Sequence, residues 1–242
     1  MVGTLASVET EGPIITMSRV SKRYGDVEAL RDVSFGINRG ELAFLVGPSG
    51  SGKSTILKLL TRELLPDDGS VYVAGRDISR MRIGKIPQLR RVAAYVPQDN
   101  PLLPGRSIEE NILFALSVLG WPRERAGRRV EEILELVGLT DRRKARSEEL
   151  SGGERQRAVI ARAVASAPKI LLADEPTGNL DPDTTVGVMR ILDAISRAGT
   201  TVLVSTHDRN VVDAMKKRVI ALENGRVSRI EEYGSYRGGS DA

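Results

Sequence analysis

Four short apolar runs set the frame of this chain: Leu42-Ala-Phe-Leu-Val46, Val92-Ala-Ala-Tyr-Val96, Lys169-Ile-Leu-Leu-Ala173 and Thr200-Thr-Val-Leu-Val204. Their length and unbroken hydrophobicity predict buried strands. Between them the apolar positions change to helical spacing, at Ile56, Leu57, Leu59 and Leu60, at Val130, Ile133, Leu134 and Val137, at Val159, Ile160, Ala163 and Val164, and at Val188, Leu192 and Ile195. Ser107-Ile-Glu-Glu110 has the spacing of a capping box, while Gly138, Pro168 and Gly199 read as helix stops. Ile14 to Val20 alternates as an edge strand would, Val27 to Ile37 contains another strand, and Ser70 to Gly75 reads as the next. Arg76 to Arg91 is polar, basic and partly helical, and Arg218 to Glu223 with Arg226 to Ile230 predicts a hairpin about Asn224-Gly225.

This pattern predicts an α/β core over residues 13–232, interrupted at about 100–150 by a charged helical insertion and bounded by loose tails at 1–12 and 233–242. With 242 residues the chain is long enough for a large core. No apolar run approaches the ~20 residues that cross a bilayer, and no signal peptide is visible. The chain lacks cysteine, which excludes disulfides, thiolate metal sites and cysteine nucleophiles. A formal charge of +4 decides nothing alone. The cluster Arg142-Arg143-Lys144-Ala-Arg146 is either a solvated face or a contact for a partner or anionic surface.

The chemistry gathers at the ends of the apolar runs. The first run leads into Gly47-Pro48-Ser49-Gly50-Ser51-Gly52-Lys53-Ser54-Thr55 and then a helix, the context that marks G-x-x-x-x-G-K-[ST] as a phosphate-binding loop. Lys53 would reach the β- and γ-phosphates, and the Ser54 hydroxyl would ligate Mg²⁺. The second run delivers Gln98, whose amide can ligate a metal or orient a water. The third ends in Asp174-Glu175: Asp174 suits Mg²⁺ through its water shell, and Glu175 suits a water attacking the γ-phosphate. The fourth leads to His207, the only histidine, either a polar surface or capping residue or a γ-phosphate contact. Ser151-Gly152-Gly153 at a helix start is an N-cap or a second anion site. Tyr24, beside Gly25, either stacks on a purine or covers the sheet.

Taken together these residues resemble the ATP-binding cassette (ABC) ATPases, from about Ile14 to Ile230. Leu150-Ser151-Gly152-Gly153-Glu154 is the discriminating piece, because a phosphate loop alone admits many nucleotidases. The resemblance implies a P-loop nucleotide-binding domain with a mixed-sheet core, an antiparallel β subdomain and an inserted helical subdomain. It also implies ATP and Mg²⁺ as cofactors, Tyr24 stacked on the base, Gln98 in the Q-loop, Glu175 as catalytic carboxylate, Asp181 in the D-loop and His207 as switch histidine. Two chains would face head to tail, ATP lying between the phosphate loop of one and Ser151 to Gly153 of the other. A narrower resemblance, carried by Val20 to Tyr24, Glu41 to Leu45, Leu172 to Asp181 and Gly199 to Leu203, runs to the bacterial cell-division members of the family. Those work with an FtsX-like integral membrane subunit that regulates cell-wall hydrolases. It implies a peripheral place on the cytoplasmic face of the membrane, held through that partner by the helical subdomain and the segment after Gln98, with no direct contact with nucleic acid. Lipoprotein-release and macrolide-export cassettes share the Asp174 to Asp181 run and remain an alternative. A nucleic-acid-associated cassette is disfavoured by the lack of heptads or a second cassette.

Overall fold

The computed structural model describes residues 12–99 and 102–237. The tail predicted at 1–12 lies outside them except for Gly12, as does the end of the second tail from residue 238. Ile15–Tyr24 (β1), Val27–Ile37 (β2), Leu42–Val46 (β3), Lys53–Leu60 (α1), Asp68–Val73 (β4), Arg76–Asp77 (β5), Ile86–Val92 (α2) and Ala93–Val96 (β6) make the first part. Ile108–Val118 (α3), Arg123–Leu136 (α4), Gly152–Val164 (α5), Ile170–Asp174 (β7), Pro182–Arg197 (α6), Thr201–Thr206 (β8), Arg209–Met215 (α7), Arg218–Glu223 (β9) and Arg226–Glu231 (β10) follow.

Two sheets result. The antiparallel one has the order β2-β1-β4-β5, so β1 is an inner strand and not the edge strand that its alternation suggested. Ile15, Met17 and Val20 are buried in one cluster with Ile56, Leu57, Leu59 and Leu60 of α1, while the intervening positions face outward. The second sheet has the order β10-β9-β3-β8-β7-β6, parallel except for β10. Every residue of β3, β7 and β8 is buried, because both faces are covered. Leu42, Phe44 and Val46 point into the cluster shared with α5 and α6, and Ala43 and Leu45 into the cluster shared with α1 and the antiparallel sheet.

Register then fixes where the chemistry emerges. Val46 pairs with Thr206, Ser205 with Asp174, and Ala173 with Val96. The carboxyl ends of four parallel strands therefore lie on one sheet edge, the place where ligands of such sheets bind.

The insertion is helical. Ser107 caps α3 in a complete capping box, and Ile108, Ile112, Leu116, Val130, Ile133 and Leu134 bury their face of α3 and α4 against α5. Glu109 accepts from Arg143 and Lys144, each at 2.5 Å, and these bonds hold its carboxyl down at about 2. The tail predicted from residue 233 is anchored at its start. Arg229 donates to the carbonyls of Ser235 and Tyr236, and the Tyr236 N–H donates to Asp213 at 2.7 Å.

Candidate functional site

The loop after β3 has a backbone that only glycine satisfies at two points. Gly47 has φ 151°, and a Cβ there would lie 2.3 Å from the Leu222 carbonyl; Gly52 has φ 107°, and a Cβ would meet Leu30 at 2.6 Å. Gly52 is also the N-cap of α1 and offers no side chain, so the first N–H groups of that helix stay open to an anion. Lys53 folds back inside the loop, donating to the Gly47 carbonyl at 2.8 Å and the Pro48 carbonyl at 3.1 Å. Burial pushes its ammonium below the usual lysine range, against the pull of Glu175 and Asp174. Ser51 is buried with an unpartnered hydroxyl.

Behind the loop stand the two acids. Asp174 Oδ1 accepts from Ser205 Oγ at 2.5 Å and lies 3.4 Å from Ser54 Oγ, while Oδ2 accepts from the Tyr95 hydroxyl at 3.2 Å. That bond, burial and the Asp174 charge push the Tyr95 phenol upward, burial contributing most. Ser54 and Asp174 are oxygen donors, the set a hard divalent cation takes while keeping several waters. With Ser205 and Tyr95 already on its carboxylate, Asp174 suits contact through such a water. Glu175 has φ 47°, a left-handed backbone unusual for a side chain with a Cβ. Its N–H is held by both the carbonyl and the hydroxyl of Ser205, each at 3.1 Å, and its Oε2 lies 2.5 Å from His207 Nδ1.

One cavity of about 440 Å³ brings together Ser49, Gly50, Gly52, Lys53, Ser54, Thr55, Gln98, Glu175 and His207. The remaining residues singled out from sequence lie apart from its walls. Asp174 is buried behind Ser54, Gly47 and Pro48 give their carbonyls to Lys53, and Tyr24 is 46% exposed at the tip of the β1–β2 hairpin. Ser151, Gly152 and Gly153 open α5 on separate ground. Ser151 accepts from the Glu154 N–H at 3.2 Å, Glu154 accepts in return from the Ser151 N–H at 2.9 Å, and Arg142 pairs with Glu154 at 3.0 Å. Ala29 lines the cavity, and Ser205 and Tyr95 brace the acids; sequence reasoning passed over all three. The one readable signal was Ser205, the hydroxyl that follows the apolar Val202-Leu203-Val204 two residues before His207.

The ABC transporter family model matches residues 30–178. The cell division ATP-binding protein FtsE of Streptococcus pneumoniae is 48% identical over 224 residues, 92% of this chain and 97% of that protein. FtsE of Mycobacterium tuberculosis is 45% identical over 225 residues, 92% and 98% of the two chains. Among solved structures, a dimeric ATP-binding cassette in a post-hydrolysis state with ADP and Pi superposes with a TM-score of 0.81 at 33% identity, covering 90% of this chain and 98% of that one.

Proposed function

The chain belongs to the ABC transporter family, and from that premise we propose that it is the ATP-hydrolysing subunit of a bacterial cell-division complex, an FtsE-like cassette docked on an FtsX-like membrane protein. It is an ATPase that transfers a phosphoryl group from ATP to water. The observation that carries the site assignment is the convergence of Lys53, Gln98, Glu175 and His207, from four separate strand ends, on one cavity at the edge of the parallel sheet.

The geometry of the site supports the following roles. The loop from Gly47 to Thr55 cradles the phosphates, with Lys53 exchanging its two carbonyl partners for phosphate oxygens. Ser54 and Gln98, with Asp174 behind them, would hold Mg²⁺, which when bound would neutralise developing charge on the phosphates. Glu175 orients and deprotonates the attacking water, while His207, bonded to that carboxylate, fixes its direction and faces the γ-phosphate. Tyr24, at the tip of the β1–β2 hairpin, is assigned to the adenine on the family resemblance.

Ser151 to Gly153 line no part of the cavity, so their contribution to a γ-phosphate comes from a second copy. Two chains then meet head to tail with ATP between them, and loss of the γ-phosphate removes contacts that both share. No helix among the described residues is long and apolar enough to cross a membrane. The likeness to FtsE relatives is what supports a peripheral place on the cytoplasmic face, held through the membrane partner. The test is Glu175→Gln. ATP affinity should stay within a few-fold of the parent, turnover should fall by about 10²–10⁴, and ATP should trap a stable dimer in size-exclusion chromatography. Near-normal turnover would remove Glu175 from its role.

A further inference from the structure

The chain has two concentrated runs of positive charge, and the fold treats them in opposite ways. In the run from Arg142 to Arg146, Arg142 pairs with Glu154, Arg143 with Glu109 and Glu131, and Lys144 with Glu109. Three of its four cations are therefore neutralised within the chain. In the run from Arg76 to Arg91, six cations (Arg76, Arg80, Arg82, Lys85, Arg90 and Arg91) face one acid, Asp77, whose carboxylate accepts from the Ser79 N–H. That run holds more positive charge than the whole chain's excess of +4. All six side chains are exposed, and among the described residues none joins an ion pair.

An apolar residue stands in the middle of this charge. Ile83 is 81% exposed at the start of a single 3₁₀ turn, Ile83–Lys85, that leads into α2. Unpaired like charges in one short segment repel each other, and a bare isoleucine among them is poorly hydrated. An anionic bilayer relieves both: lipid phosphates neutralise the cations, and the isoleucine enters the headgroup region. A protein partner would need an acid built opposite each cation. A fluid membrane brings mobile charges to wherever the cations stand.

We propose that residues 76–91 form a docking surface for an anionic lipid bilayer, giving this chain a membrane contact of its own beside the one made through a membrane subunit. The proposal rests on the unpaired charge and Ile83 alone, so it stands or falls separately from the assignment of the nucleotide site.

The test is sedimentation of the full chain with vesicles of equal phosphatidylglycerol and phosphatidylcholine, against vesicles of phosphatidylcholine only. The chain should pellet with the first and not the second, and rising salt should release it. Neutralising Arg80, Arg82, Lys85 and Arg91 to Gln should weaken binding by roughly several hundredfold, at about fivefold per cation. Neutralising the exposed Arg39, Arg123, Arg190 and Arg226 to Gln removes the same charge elsewhere and should leave most of the binding. Because the chain has no cysteine, Ile83→Cys gives a unique site for an environment-sensitive dye, whose emission should shift to the blue only with anionic vesicles. Failure to pellet with anionic vesicles, equal pelleting with neutral ones, or equal loss in the two four-residue variants would overturn the proposal.

Discussion

Ser205 is the side chain whose importance is least visible from its identity and clearest from its bonds. Its hydroxyl donates to Asp174 at 2.5 Å and accepts from the Glu175 N–H at 3.1 Å, so one buried hydroxyl links the Asp174 carboxylate to the Glu175 backbone. It also helps to hold Glu175 in its left-handed backbone, which carries strain of about 1–3 kcal/mol. Ser205→Ala removes a charge-assisted bond of about 1.5–3 kcal/mol and frees Asp174 to swing away from Ser54. We expect the Mg²⁺ concentration for half-maximal hydrolysis to rise about tenfold or more. Tyr95→Phe, which removes a longer bond of 3.2 Å from the other oxygen, should have a smaller effect in the same direction. A magnesium titration of the ATPase rate reads both; an unchanged midpoint in Ser205→Ala would show that Asp174 needs no brace.

At the scale of elements, α5 meets α6 so closely that Gly153, the second glycine of the Leu150 to Glu154 signature, has a packing duty independent of any ligand. A Cβ on Gly153 would lie 2.3 Å from Thr184 Cγ2, on the first turn of α6, but 3.5 Å from Thr184 Cβ. Gly153→Ala should therefore cost about 1–3 kcal/mol by overpacking. The double variant with Thr184→Ala, which deletes the clashing methyl, should recover most of that loss in urea unfolding. If the double variant is no more stable than the single, the two helices do not touch as described. Elements were also where the sequence was most and least informative. β3, β7 and β8 were legible because strands covered on both faces carry an unbroken apolar stretch, here Leu42 to Val46, Ile170 to Ala173 and Val202 to Val204. β1 was placed at an edge because alternation reports one covered face and says nothing about neighbours along the sheet; hydrogen bonds to β2 and β4 on its two sides make it internal. The region from β5 to α2 gave no period, since a two-residue strand and a seven-residue helix opened by proline are too short to show one. The order from 233 to 237 depends on Asp213 and Arg229, partners supplied only by the tertiary fold.

At the scale of the molecule, the question is whether the phosphate loop and the Ser151 helix start serve the same nucleotide from different chains. Ser151→Asp separates the functions of that helix start: aspartate is as good an N-cap as serine, so α5 should stay folded, while its carboxylate repels a γ-phosphate. Lys53→Ala disables the other half. With Glu175→Gln in both backgrounds to halt hydrolysis, neither variant alone should form an ATP-dependent dimer, because every pairing of identical chains contains only damaged sites. An equimolar mixture should dimerise. Each heterodimer joins the sound loop of the Ser151→Asp chain to the sound signature of the Lys53→Ala chain, while the two damaged halves fall together in the other site. Bound nucleotide should then be about one ATP per dimer, where the Glu175→Gln parent holds about two, as a twofold, head-to-tail interface requires. A site built within one chain gives a different result, because no partner can then repair either variant. Mixing would leave both monomeric, and the adhesive role of ATP between two chains would have to be abandoned.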